Sequence, residues 1–176
     1  MWLNAPDFDQ LLGGARHTAV HLELRDTYSV PDEADAVERF RRTGASDLDP
    51  DSEYWREWTR MVREAADRGV AIRRARIVSE PVTLYTRYLH AMTQVNVTAG
   101  EEVRWLARRD TCDLALPGED FWLVDSSRVR FNHFTGDGDW ADPRFSYTED
   151  PAVVKLCTTA FDAVWERAVP HEQYTV

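Results

Sequence analysis

Long apolar runs, paired cysteines and glycine-rich loops are missing from this chain, and lysine is nearly so. No stretch approaches the roughly 18 apolar residues that span a bilayer. The start, Met-Trp-Leu-Asn-Ala-Pro-Asp-Phe-Asp, has neither the basic region nor the apolar core of a secretory signal. A cytoplasmic protein without a membrane segment is therefore expected. Cysteine occurs only at Cys112 and Cys157, without Cys-x-x-Cys spacing, so two buried free thiols are expected rather than a disulfide framework or a zinc site. Of 21 basic residues only Lys155 is lysine, which speaks of a GC-rich genome rather than of function. No G-x-x-x-x-G-K-S/T, G-x-S-x-G or dinucleotide-type glycine turn occurs, so no cofactor is expected.

What is present suits one folded unit. The 176 residues are 43% hydrophobic and include seven tryptophans, enough for a sizeable core, and no repeat or linker divides them. A net charge of −10 argues against direct nucleic-acid binding, which needs a basic footprint. The charge is uneven. Residues 68–110 hold eight arginines against four acids, whereas both flanks are strongly acidic. Any anionic ligand is to be sought in that middle segment.

Periodicity places the elements. Asp7 to Leu12 predicts a short helix stopped by Gly13-Gly14. Ala19 to Asp26 alternates, with Val20, Leu22 and Leu24 on one face and His21, Glu23 and Arg25 on the other, which predicts a half-buried strand. A helix is expected from Glu33 to Arg42 after Pro31. Another, capped by Asp51 or Ser52, carries the stripe Trp55, Trp58, Met61, Val62, Ala65 and Ala66. Val70 to Ser79 reads as a strand, and Ser79-Glu80-Pro81 as the start of a helix through Leu84, Tyr88, Met92 and Val95. Further strands are expected at Glu102 to Leu106, Phe121 to Asp125 and Val129 to Phe134, with a polar loop from Thr135 to Pro143. The last helix opens with Asp150 and Pro151 and ends before Pro170. A strand followed by a helix implies a crossover, so the fold class expected is mixed α/β: a single domain over 1–176 with a mixed central sheet flanked by helices. Its first part, 1–69, is mainly helical with one strand; 70–170 forms the α/β part.

The arginines of the middle segment cannot be buried unpaired. Arg73, Arg74, Arg76, Arg87, Arg104, Arg108 and Arg109 either pair with Glu80, Glu101 and Glu102 in a structural network or form a surface for phosphate or carboxylate, flanked by Tyr85 and Trp105. Ser79 and Glu80, at a strand end and a helix start, sit where α/β folds commonly bind ligands. The candidate ligand-binding set is therefore Arg74, Arg76, Ser79, Glu80, Tyr85, Arg87, Arg104 and Trp105, with His133 and Asp137 from the second half. An enzymatic alternative, acting on a phosphorylated or nucleotide-like substrate, would use Glu80 and His133 for proton transfer and Arg76 and Arg104 as anion clamps. Gly136-Asp137-Gly138-Asp139 lacks the closing glutamate of a calcium loop, and His17 and His21 do not share a helical face as zinc ligands would.

Two stretches carry a resemblance. Leu116-Pro117-Gly118-Glu119-Asp120-Phe121-Trp122-Leu123-Val124-Asp125-Ser126-Ser127-Arg128-Val129 and Ala160-Phe161-Asp162-Ala163-Val164-Trp165-Glu166-Arg167-Ala168-Val169-Pro170 look like the C-terminal part of phospholipase-D-like domains, in the degenerate form attached to some helix-turn-helix regulators. Active members use H-x-K-x-x-x-x-D, with the His as nucleophile and the Lys steadying phosphate charge. Counted back from Asp125, the Lys position is Asp120 and the His position Gly118. His133 is followed by Thr135 and Trp140 at those spacings. The resemblance thus implies a fold without phosphodiesterase chemistry.

Across nearly its full length the chain is similar to DUF6879, an actinobacterial family of unknown function. The likeness rests on Ala19-Val20-His21-Leu22-Glu23-Leu24-Arg25-Asp26-Thr27-Tyr28, Arg76-Ile77-Val78-Ser79-Glu80-Pro81, Gly100-Glu101-Glu102-Val103-Arg104-Trp105-Leu106, Asp120-Phe121-Trp122-Leu123-Val124-Asp125 and His133-Phe134-Thr135-Gly136-Asp137-Gly138. Members commonly stand beside helix-turn-helix regulators. The family thus implies a regulatory setting, and with the degenerate motif and the arginine segment the function expected is a non-catalytic module, with a helix-turn-helix regulator protein or a small anionic ligand as partner. Its oligomeric state is left open.

Overall fold

The computed structural model describes residues 2–29 and 33–176. Helix α1 (Phe8–Gly13) leads into strand β1 (Thr18–Glu23), then α2 (Ala34–Thr43) and α3 (Arg56–Asp67). Next come β2 (Ala71–Val78), α4 (Leu84–Ala99), β3 (Glu101–Ala107), β4 (Asp120–Val124), β5 (Arg128–Phe134), β6 (Trp140–Thr148), α5 (Pro151–Arg167) and the short β7 (Val169–Pro170). One seven-stranded sheet runs β6-β5-β4-β1-β2-β3-β7. β1, β2 and β3 are parallel, while β4, β5 and β6 form an antiparallel meander joined to β1. The expected mixed α/β class holds, with β1 from the mainly helical first part at the centre of the sheet. No described helix is long and apolar enough to cross a membrane.

Strand alternation sends one set of side chains to α5. Val20, Leu22, Ala75, Ile77, Leu106, Phe121, Leu123, Val129 and Phe131 meet Cys157, Phe161 and Val164 there. Each large side chain fully buried in this layer contributes about 1.5–3 kcal/mol. α5 starts where Asp150 and Pro151 place it: the Asp150 carboxylate accepts the Ala152 amide at 2.9 Å. The opposite face is covered by α1, α3 and α4. Ala19, Ile72 and Val124 pack there against Leu11, Leu12, Val62 and Ala65 at one end, and Val78, Val103 and Trp105 fill the other. α2 lies on the outer helices through Val37 and Phe40, near Trp55 and Tyr88.

Several boundaries differ from expectation. α4 begins at Leu84, because Thr83 Oγ1 accepts the Thr86 amide at 3.0 Å; Ser79 to Pro81 precede the helix rather than start it. α3 begins at Arg56 after turns in which the Ser52 carbonyl accepts the Arg56 amide. The Pro31 break lies outside the described residues. Only Thr135–Asp139 of the expected polar loop is a turn, closed by a 2.8 Å bond from the Thr135 amide to the Asp139 carbonyl. Strand β6 follows, and as an edge strand it tolerates Pro143. Cys157 is buried, but Cys112 is exposed, since it follows a surface 3-10 turn at Arg108–Thr111. Both thiols are free.

Candidate functional site

Asp125, the residue that coincides with the last position of the H-x-K-x-x-x-x-D spacing, closes a turn and ties down a neighbouring loop. With Ser126 it occupies the left-handed region, φ 51° and 49°, at the centre of the Val124–Ser127 turn, in which the Ser127 amide donates to the Val124 carbonyl. Its carboxylate accepts the amides of Arg16, His17 and Thr18, the closest at 2.8 Å. Burial pushes that carboxyl up, but the three amides and Arg128 outweigh it, and it stays below its usual value.

The chemistry collects elsewhere, on the sheet face under α3 and α4. Register sets side by side, across four strands, Arg130 of β5, Trp122 of β4, His21 of β1 and Arg74 of β2. Two residues further along the same strands come Asn132, Asp120, Glu23 and Arg76. These eight polar or aromatic groups floor a cavity of about 380 Å³, roofed by Trp55, Trp58, Tyr85, Leu89, Met92 and Asn96. Phe8, Tyr28, Glu33, Tyr54, Phe134 and Trp140 complete its walls. Its size lies within the usual range for small-molecule sites, about 300–1,000 Å³.

Charge within the floor divides into a closed part and an open part. Glu23 takes Arg76 Nε at 2.6 Å and also pairs with Arg74. Arg74 Nε reaches Glu101 at 2.8 Å, and Glu101 in turn accepts from Asn96. Burial alone would push Glu23 up, yet Arg76 and Arg74 hold it at about 2. Arg76 further donates to Thr93 Oγ1 and lies over the Trp105 ring. Two carboxylates thus satisfy two guanidinium groups, as buried ions require.

Arg130 is different. It is 6% exposed, lies between Phe8 and Phe145 at 5.0 and 4.4 Å, and forms no ion pair among the described residues. Its Nε is buried without a hydrogen bond. Burial pulls its pKa down to about 10, opposed only by the more distant Asp7. Asn132 Oδ1, Trp58 Nε1 and both His21 nitrogens are likewise buried and unbonded. His21 stacks on Trp122 at 4.3 Å, and burial, reinforced by Arg74, keeps its imidazole neutral. So many unmet polar atoms around one cavity are unusual in a native interior, where most such groups are bonded.

Asp120 supplies a second kind of group. One oxygen accepts the Leu24 amide at 2.7 Å and the other the Tyr28 hydroxyl. Burial lifts this carboxyl to about 7, and neighbouring Glu23 adds to the effect against the two hydrogen bonds.

Of the residues singled out from sequence, Arg74, Arg76 and Tyr85 line this cavity. The others are dispersed. Ser79 bonds Asp26 and is bonded by Arg108, whose guanidinium also reaches the Leu24 and Ile77 carbonyls. The ends of β1 and β2, where an α/β ligand site was expected, are filled by that plug. Glu80 pairs with Arg109 and accepts from Tyr174. Arg87 is exposed on α4, and Asp137 is exposed in the β5–β6 turn. Arg104 stacks on Trp165 on the α5 side, and His133 bonds Ser146 on that same side. Trp105 is fully buried beneath Arg76. The pairing expected of the arginine segment holds for Arg73–Glu102, Arg74–Glu101 and Arg109–Glu80, while Arg74 and Arg76 also floor the cavity. Sequence reading missed His21, Glu23, Asp120, Arg130 and Asn132. Their one signal was polar alternation on strands with helices to cover both faces.

A search among curated proteins returns no significant match. The family model described as a domain of unknown function (DUF6879) matches residues 6–176, and with them every element that builds the cavity. The chain therefore belongs to the DUF6879 family.

Proposed function

We propose that this protein is a non-catalytic recognition module that holds a small anionic ligand in the sheet-face cavity and acts with a helix-turn-helix transcription regulator. The observation that carries the ligand is Arg130, a buried cation with no carboxylate partner among the described residues. An uncompensated buried charge is costly, and an incoming carboxylate or phosphate removes that cost. The regulatory setting is what the family likeness implies, and action in the cytoplasm follows from a DNA-binding partner. A phospholipase-D-like descent fits the same picture. Asp120, at the position where active relatives keep their lysine, borders the cavity with a carboxyl, so the ammonium group that phosphodiesterase chemistry needs has no counterpart there.

Four tryptophans border the cavity, so ligand entry is expected to change intrinsic fluorescence. Titration with small carboxylates and phosphates should give saturable changes that vanish in Arg130→Met. Equal responses from the variant would refute the anion site. For the regulatory half, DNA binding by a co-encoded regulator should shift when this protein is added, and shift further with ligand.

A second reading rests on the Asp120–Tyr28 pair. A carboxyl that holds its proton near neutral pH beside a cavity suits proton transfer to a bound molecule. Turnover that Asp120→Asn abolishes would establish an enzyme. Glu80, His133 and Arg104 are too dispersed to serve one.

A further inference from the structure

After β7 the chain makes a 3-10 turn at His171–Gln173 and lies against β3 and α4. Aromatic contacts hold it there. Tyr174 stacks on Trp105 at 5.5 Å and 5°, and its carbonyl accepts from His90 Nε2 at 3.0 Å. The His171 ring packs on that of His90 at 4.5 Å, and its Nδ1 accepts the Trp105 indole N–H at 3.3 Å. Further along, the Tyr174 hydroxyl donates to Glu80, which Arg109 also holds.

An indole N–H can only donate, so its bond to His171 requires a bare Nδ1. An imidazolium carries N–H on both nitrogens and would set donor against donor. Trp105 is fully buried, so the displaced indole N–H would find no water. A charged His171 would also face His90 of α4 and, across the Trp105 ring, the guanidinium of Arg76 of β2, 5.1 Å from that ring. Glu172 in the same turn opposes them. Burial, then His90, pull His171 below the ordinary imidazole value against Glu172, with Arg76 adding to the pull. Burial lowers His90 too, against its bond to Tyr174.

We propose that residues 171–176 form an acid-released latch: a proton taken up by His171 breaks the bond to Trp105, detaches the stretch and uncovers the ring on which Arg76 rests. A histidine held below its usual value stabilises the closed form above about pH 6.5 and ceases to do so as pH falls. The latch is therefore shut at neutral pH and opens in acid. Arg76 also floors the cavity, so opening takes packing away from beneath that floor. The latch itself stands whether or not the cavity binds an anion.

Hydrogen exchange followed by NMR, expressed as protection relative to the intrinsic rate at each pH, tests this. Its reporters are the Trp105 indole N–H and the Tyr174 amide, which donates to the Pro170 carbonyl. Both should lose at least about tenfold protection between pH 8 and pH 5, the cost of one unmet buried donor, while the amides of β1 keep theirs. His171→Asn offers an acceptor that cannot ionise, and His90→Gln keeps a donor for Tyr174. The double variant should stay shut at both pH values. Wild-type protection that does not change over this range would overturn the latch, and so would an equal loss in the double variant. If that variant is already open at pH 8, the wild-type His171 ring decides. Its Nδ1 should gain a proton over the range in which the indole N–H becomes exposed, and a ring still neutral after opening would overturn the proposal.

Discussion

Replacing Asp120 by asparagine should make the protein less sensitive to rising pH. Asp120 titrates at about 7 in the folded protein, against 3.8 for the ordinary side chain. The folded form therefore holds this proton more tightly than the unfolded chain does. The stability it confers is full below about 3.8 and drains away as pH climbs through about 7, a total of ~4 kcal/mol for the whole interval. Between pH 5 and pH 8 the wild type should lose about 3 kcal/mol relative to Asp120→Asn, whose amide is isosteric and does not ionise. In the variant the amide oxygen keeps the Leu24 bond, and its NH₂ can donate to Tyr28. Urea unfolding of both proteins at the two pH values measures the difference, with midpoints and slopes compared so that changes in the unfolded state are recognised. A gap that stays constant from pH 5 to pH 8 would show that Asp120 does not hold its proton in the folded state.

Three further outcomes follow from the same face of the sheet. Arg130→Met should raise stability by about 1–2 kcal/mol, since an apolar side chain of similar reach replaces an unpaired buried cation; a lowered melting temperature would show that the cation is compensated. Glu23→Gln leaves Arg76 without its carboxylate and Arg74 with Glu101 alone, and should cost about 3–5 kcal/mol in denaturant unfolding. Asp125→Ala takes the acceptor from three backbone amides and should cost about 2 kcal/mol. Because neither Asp125 nor the residues it bonds line the cavity, anion affinity measured on the folded fraction should be unchanged.

Much of the fold was legible one element at a time. The alternation of Val20, Leu22 and Leu24 marked β1, and Asp150-Pro151 marked the start of α5, because caps and periods are local. β6 was hidden: Asp142 and Pro143 read as loop, and only an edge position lets such a sequence pair. The cavity was hidden for a different reason. Period two cannot tell whether a polar stripe faces water or a covered space, so His21 and Glu23 read as a solvent face. Arg74 and Arg76 stood out by charge density, whereas Arg130 and Asn132 belong to an acidic region and become neighbours of His21 only through the strand order. That order depends on β4 returning antiparallel to β1, which no local pattern records.

The α5 layer has a consequence for how this family can change. Leu22, Phe121 and Phe161 anchor the strands from beneath, without help from any group that touches the cavity. Upward-pointing positions are therefore free to be exchanged one by one while the platform under them stays put. Descendants of one ancestor could come to recognise different small molecules by altering a few side chains above an unaltered hydrophobic foundation.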